Sequence, residues 1–276
     1  METKKIGFIG AGNMATALIG GLLSDGDVKP EDIVVSDTSD SRLTELESQF
    51  GIQSCCENDK CVAGADVVVI CVKPQIMAEI CREVSETVKS KQPLIISVAA
   101  GITTKNLNNW LGEKTAIVRA MPNTPALIKT GAAGLFANNK VTQEQKDVAE
   151  KILRAVGVVL WAEDEKHMDY ITALSGSGPA YFFRMMESLE IAAQELGLGK
   201  DAAHILTLQT ALGAAKLAME SSDSISELRN KVTSPGGTTE KGLAAMNLAN
   251  VDDMFKKTLQ AASDRAEELS NEFGEK

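Results

Sequence analysis

Apolar runs of four to six residues punctuate the first part of the chain and stop at Trp161. Residues 6–9, 33–36, 67–72, 93–98, 115–120, 132–137 and 156–161 each read as a strand, with polar or glycine-containing turns between them. The runs at 67–72 and 93–98 are continuous rather than alternating, which is the pattern of strands covered on both faces in a parallel sheet. Helical periodicity separates the runs: an Ala/Leu-rich stretch through Leu23, one carrying Leu43 and Leu46, and one over 143–155. After Trp161 a charged crossing, Glu163-Asp164-Glu165-Lys166, leads into helices only. One runs to about Leu196, one spans 202–219, one starts at Thr238 or Thr239 on the spacing of Leu243, Met246 and Leu248, and a charged amphipathic one closes the chain over 259–273. The expected fold is α/β: an N-terminal sheet domain over 1–162 followed by an all-α C-terminal domain over 163–276.

The helices over 180–196 and 202–219 are apolar around too much of their circumference to lie on a surface. A helical domain of about a hundred residues cannot readily bury them alone, so a homodimer, or a multiple of dimers, is expected. With 276 residues, 44% hydrophobic and 24% charged, the chain has the composition of a soluble two-domain protein. Its net charge of −10 argues against nucleic acid or an anionic membrane surface as a partner. No apolar run approaches the ~20 residues of a membrane span and the start has no signal-like apolar region, so a cytoplasmic location is expected. Five cysteines, Cys55, Cys56, Cys61, Cys71 and Cys81, crowd one short part of the sequence, but their spacing matches no zinc pattern. They are expected to be unpaired thiols, with no metal.

The first strand runs directly into Gly10-Ala11-Gly12-Asn13-Met14-Ala15 and a helix. This is the G-x-G-x-x-A fingerprint in its required context: glycines let the backbone approach a pyrophosphate seated on a helix N-terminus, and Ala15 permits close packing of helix on sheet. A Rossmann-type dinucleotide-binding domain is expected, with Gly10, Ala11, Gly12, Asn13, Met14 and Ala15 at the cofactor, NAD or NADP. The second strand ends at Ser36-Asp37, where such a fold meets the adenosine ribose. An Asp there favours a free 2′-hydroxyl, whereas Ser36, Ser39 and Arg42 could receive a 2′-phosphate, so acceptance of both cofactors is expected. The competing reading makes Asp37 the N-cap of the next helix. Ala99 and Ala100 at a strand end leave room for a flat ring, and two prolines flanking Asn123-Thr124 make a stiff loop that by itself reads as a turn and that can hold Asn123 over the cofactor.

The second concentration of chemistry is Thr233-Ser234-Pro235-Gly236-Gly237-Thr238-Thr239-Glu240. Proline stiffens the entry, glycines turn the backbone, and a helix starts, so several N–H groups point at one spot beside three hydroxyls. That is a seat for a small anion such as a carboxylate, or else a plain turn between helices. His167 and His204 lie in no catalytic pattern, and His204, inside an apolar helix, reads as a satisfied structural histidine. No paired carboxylates with metal spacing are present.

Residues 228–247, LRNKVTSPGGTTEKGLAAMN, resemble the signature segment of the pyrroline-5-carboxylate reductases, and the R-x-M-x-N-T-P arrangement of Arg119 to Pro125 resembles the same family, the likeness extending over essentially the whole chain. The resemblance implies reduction of 1-pyrroline-5-carboxylate to L-proline by NADPH or NADH, with NADPH favoured. It implies a substrate carboxylate held by the N–H groups of Gly236, Gly237, Thr238 and Thr239, with the Thr239 hydroxyl at the ring nitrogen as the catalytic group. Ser234 then shapes the pocket, and Ser177, Gly178 and Pro179 line its far side. Cys71, Val72, Lys73 and Pro74 lie along the nicotinamide half of the cofactor, and Asn58 near the adenosine ribose. A cyclic imine suits this chain, because once the ring nitrogen is protonated the neighbouring carbon is already electrophilic and no strong base is needed. A β-hydroxyacid dehydrogenase would share the domain plan, but its catalytic Lys, with an Asn a turn later, is missing from 181–188. A catalytically silent nucleotide-binding regulator would not need a second anion seat.

Overall fold

A computed structural model describes residues 4–26 and 28–274. Eight strands, β1 (Ile6–Ile9), β2 (Ile33–Ser36), β3 (Gln53–Cys55), β4 (Val67–Ile70), β5 (Leu94–Ser97), β6 (Ile117–Met121), β7 (Gly131–Ala137) and β8 (Gly157–Trp161), form one sheet in the order β3-β2-β1-β4-β5-β6-β7-β8. Every pairing is parallel except β6 with β7. From β1 the chain winds first one way, through β2 and β3, and then the other, through β4. In open sheets of this kind a ligand crevice lies beyond the carboxyl ends of the strands at that reversal.

Both faces of the sheet are covered. Phe8, Val67 and Val69 pack with Leu18, Ile19 and Leu46 on one side, and Ile9, Val68 and Ile70 pack with Met77, Val88 and Leu107 on the other. This is why β1 and β4 show no polar alternation: each successive side chain enters one core or the other. The strand β3, which the apolar pattern did not disclose, is three residues long, polar and at the sheet edge, where one face and one margin are wet. β4 ends at Ile70 rather than at 72, although Cys71 N still donates to Ile9 O (2.7 Å).

The chain forms two compact units, one of residues 1–177 with 261–276 and one of residues 178–260. This differs from the expected division after residue 162. Beyond β8 the helix His167–Ile171 and the π-helical turn Thr172–Gly176 pack with the sheet, where Met168 is 0% and Ala173 2% exposed. The closing helix is longer than its amphipathic pattern suggested, Val251–Gly274, and buries Ala266 and Phe273 in its last half. The second unit is all helical: Gly178–Glu195 and Lys200–Glu220 pack on each other, followed by Ile225–Lys231 and Thr238–Leu248. Within 178–260 only Gly178 and Ala203 are buried, whereas Phe182, Phe183, Leu189, Leu206 and Leu212 are exposed. Among the described residues no helix is long and apolar enough to cross a membrane.

Candidate active site

The fingerprint closes onto the sheet through Gly10, whose φ is +99° and whose absent Cβ would stand 2.8 Å from Cys71 O, so only glycine fits. Gly12 is different. Its backbone is extended, and a Cβ there would meet nothing. Nothing inside the protein demands glycine at that exposed position, and the space above it is open. The helix Asn13–Asp25 starts there with no side-chain cap and no acid in its first turn. Its first internal bond is Thr16 N to Gly12 O (3.0 Å), leaving the N–H groups of Asn13, Met14 and Ala15 ahead of it as donors. An uncapped helix start bare of acids, beside a glycine with free space, fits a pyrophosphate. Ala15 is fully buried, as close helix-to-sheet packing requires.

Around this seat the structure revises several roles. Asp37 does not cap the next helix; Ser39 does, its hydroxyl accepting from Arg42 N. The Asp37 carboxylate instead accepts from Ala11 N (2.7 Å) and Ser39 N (2.8 Å). Arg42, a candidate for a 2′-phosphate, grips Ala11 O through Nε (3.1 Å) and Nη2 (2.8 Å) and pairs with Glu45. The N–H and the C=O of Ala11, inside the fingerprint turn, are thus each held by a charged side chain. Ser36 is 0% exposed, its hydroxyl donating to Asn58 Oδ1 (2.8 Å), so that side chain is spent inside the fold and cannot meet a cofactor. Asn58 also donates to Glu83 (3.2 Å).

Cys71, Val72, Lys73 and Pro74 follow β4, and Ala99 and Ala100 follow its neighbour β5, so the register brings the two groups together at the carboxyl ends of the strands, beside Gly10. Asn123 is not free to reach over a cofactor with its amide: Oδ1 accepts from Ala132 N (2.9 Å) and Nδ2 donates to Ser175 O (3.0 Å). Ser177 is the last residue of the first unit, and Gly178 and Pro179 open the second.

In the second unit Ser234 to Gly237 form a tight turn, Gly237 N donating to Ser234 O (2.9 Å). The left-handed angle belongs to Gly236 (φ +72°) rather than to Gly237 (φ −78°), where what matters is room: a Cβ would stand 2.9 Å from Ser234 O. The helix Thr238–Leu248 follows, without a side-chain cap. Two of the four expected donors are used internally, since Glu240 reaches back to accept from Gly236 N (2.9 Å). The N–H groups of Thr238, Thr239 and Glu240 precede the first helical bond, Lys241 N to Gly237 O (3.4 Å), and remain as donors. Glu240 was missed as a participant; its place in the first turn, where a carboxylate favours the helix, was the available signal.

Arg119, 3% exposed, lies between Asp169 Oδ1 (3.3 Å) and Glu165 Oε1 (3.5 Å), and Glu165 also accepts from Thr104 N and Oγ1 (both 2.7 Å). Burial holds the Asp169 carboxyl above its ordinary range, against the pull of Arg119 and with help from Glu267 and Glu165. All five cysteines are free thiols; burial pushes Cys61, Cys71 and Cys81 up to about 12, and no cluster able to hold a metal occurs among the described residues. His204 is exposed rather than buried, with Nδ1 2.8 Å from Glu190 Oε1.

A family model described as pyrroline-5-carboxylate reductase dimerisation matches residues 165–269, and one described as NADP oxidoreductase coenzyme F420-dependent matches residues 5–101. The pyrroline-5-carboxylate reductase of Pseudomonas aeruginosa is 46% identical over 275 residues, covering 100% of both chains. Among solved structures, a pyrroline-5-carboxylate reductase from Coxiella burnetii superposes with a TM-score of 0.93 at 45% identity, over 98% of this chain and 99% of that one. The pyrroline carboxylate reductase of Plasmodium falciparum, solved with NADP bound, gives 0.86 at 28% identity, over 98% and 99%. Agreement of this degree along the full length leaves a single conclusion: the chain belongs to the pyrroline-5-carboxylate reductase family.

Proposed function

We infer that this chain reduces 1-pyrroline-5-carboxylate to L-proline by hydride transfer from NADPH or NADH. The observation that carries the inference is the second uncapped helix start, Thr238–Thr239–Glu240, in a chain that already has a dinucleotide seat: a carboxylate-bearing substrate needs the one and a nicotinamide cofactor the other. The N–H groups of Asn13, Met14 and Ala15 hold the pyrophosphate, with Gly10, Ala11 and Gly12 giving it backbone access. Residues Cys71 to Pro74 and Ala99–Ala100 border the nicotinamide. NAD(P)H supplies the hydride when bound.

The N–H groups of Thr238 and Thr239 hold the substrate carboxylate, with Ser234 and the Gly236–Gly237 turn shaping the seat and Ser177, Gly178 and Pro179 bordering it. Thr239 Oγ1 accepts the N–H of the protonated imine, orienting the electrophilic carbon. As that carbon gains the hydride, the C=N electron pair moves onto nitrogen, which ends as the amine of proline. Both cofactors are accepted in this account, because Asp37 and Arg42 are each committed to the Ala11 peptide and neither offers a dedicated 2′-phosphate site.

Residues 178–260 serve substrate binding and assembly, and the assembly is a homodimer or a multiple of it with Gly178–Glu195 and Lys200–Glu220 at the shared face. The exposed Phe182, Phe183, Leu189, Leu206 and Leu212 support this, as does the dimerisation match. Five free thiols support a reducing, cytoplasmic setting, and a net charge of −10 disfavours a nucleic-acid partner. Purified protein given NADPH and pyrroline-5-carboxylate is expected to deplete the reduced-nicotinamide absorbance and yield proline. Loss of neither cofactor in the presence of the imine would overturn the assignment.

A further inference from the structure

The segment from Glu165 to Gly176 lies unusually close against β6 and β7. A Cβ at Gly134 on β7 would meet Ile171 at 2.7 Å, and one at Gly176 would meet Met121 Cε at 2.5 Å, so glycine on each side makes the room. Arg119 on β6 ties the segment at Glu165 and Asp169. Asn123, just beyond β6, makes the last tie, to Ser175 O.

Ser175 lies inside the π-helical turn Thr172–Gly176, which closes with Ser177 N donating to Thr172 O (2.9 Å). Such turns are rare, cost regular helical bonding, and recur where a chain must present residues in a particular way. Here the wide turn ends at Ser177, next to Gly178 and Pro179. An amide is the side chain that can donate to Ser175 O and accept from Ala132 N at once; Asp lacks the donor and Ala lacks both.

We propose that Asn123 is a positioning residue for the reaction: by latching the Ser175 carbonyl to the strand side of the first unit, it fixes the π-helical turn and hence the backbone at Ser177 that borders the substrate. The proposal rests on the reductase assignment for its kinetic consequence, but the latch itself can be read without turnover.

Two variants separate the roles. Asn123→Asp keeps the acceptor for Ala132 N and loses the donor to Ser175 O, whereas Asn123→Ala loses both. Backbone hydrogen exchange over residues 172–178, followed by mass spectrometry, should quicken about tenfold in both variants, the scale of one hydrogen bond, and kcat/KM for pyrroline-5-carboxylate should fall by about the same factor. NADPH affinity, measured by fluorescence, should stay within about twofold of the parent. A merely structural role through Ala132 would leave Asn123→Asp like the parent, and unchanged exchange in that variant overturns the proposal. So does NADPH affinity that falls in step with kcat/KM, which would make Asn123 a cofactor contact. If Asn123→Ala fails to fold, Asn123→Asp decides alone. If the parent itself does not turn over the imine, the reductase assignment fails, while the exchange rates still decide the latch.

Discussion

At Asp169, burial and charge work against each other, and burial wins. Its carboxyl is held above the ordinary range chiefly by desolvation, with Arg119 opposing. Since the folded value exceeds the unfolded one, the group's contribution to stability is fully present below the ordinary carboxylate value of about 4 and is lost as pH rises through the raised value. Asp169→Asn is fixed in the neutral state and has no such loss. Its Tm minus that of the parent should therefore increase as pH rises from about 4 to about 7; a difference that is flat or decreasing would refute the assignment of cause. Such residues also mark what the sequence hid. Gly10, Gly12 and Ala15 were legible because the fingerprint is local, all three falling at fixed spacing in one strand-to-helix turn. Asp37 was read as a helix cap or a ribose contact, yet its partner Ala11 lies 26 residues away, as Ser36 is 22 residues from Asn58. Side-chain bonds over such separations leave no periodicity to read.

Among the elements, the turn and helix at 234–248 give the sharpest test. Gly237→Val would drive a branched side chain into Ser234 O, where even a Cβ stands at 2.9 Å, and so displace the helix start that carries the donors of Thr238 and Thr239. Turnover of the imine should be abolished while NADPH binding persists, since the fingerprint belongs to the other unit. Thr239→Ala, which keeps the backbone donors, should lower kcat more than it raises KM, by about tenfold to a hundredfold for one hydrogen bond of roughly 1 to 3 kcal/mol. Steady-state kinetics with fluorescence titration of NADPH checks both; near-normal turnover in a folded Gly237→Val protein would reduce the stretch to a plain turn. The start of this helix was legible because proline, glycine and the apolar spacing of Leu243, Met246 and Leu248 agree. The π-helical turn Thr172–Gly176 was not, because a change from one hydrogen-bond ladder to a wider one is set by packing against Met121 and by Asn123 rather than by composition. The antiparallel direction of β7 was equally silent in its apolar run.

For the whole molecule, the exposed apolar side chains of Gly178–Glu195 and Lys200–Glu220 predict association at low concentration. Light scattering at micromolar protein should give a mass at least twice 29.4 kDa, and a stable, active monomer would refute it. The two-part plan was visible in the sequence as the end of the apolar runs at Trp161. What was not visible is that the charged closing helix, which carries no chemistry, returns to the first unit. Ala266 and Phe273 are 4% and 6% exposed there, and Leu269 lies where a Cβ on Gly101 would come within 2.9 Å. Asn106 Nδ2 donates to Ser270 O (3.4 Å) in the same region. A nascent chain has therefore made all eight strands long before it has made the residues that cover the patch around Gly101. A chain cut short between residues 250 and 266 would keep all eight strands and leave the surface beneath Ala266, Leu269 and Phe273 open to water.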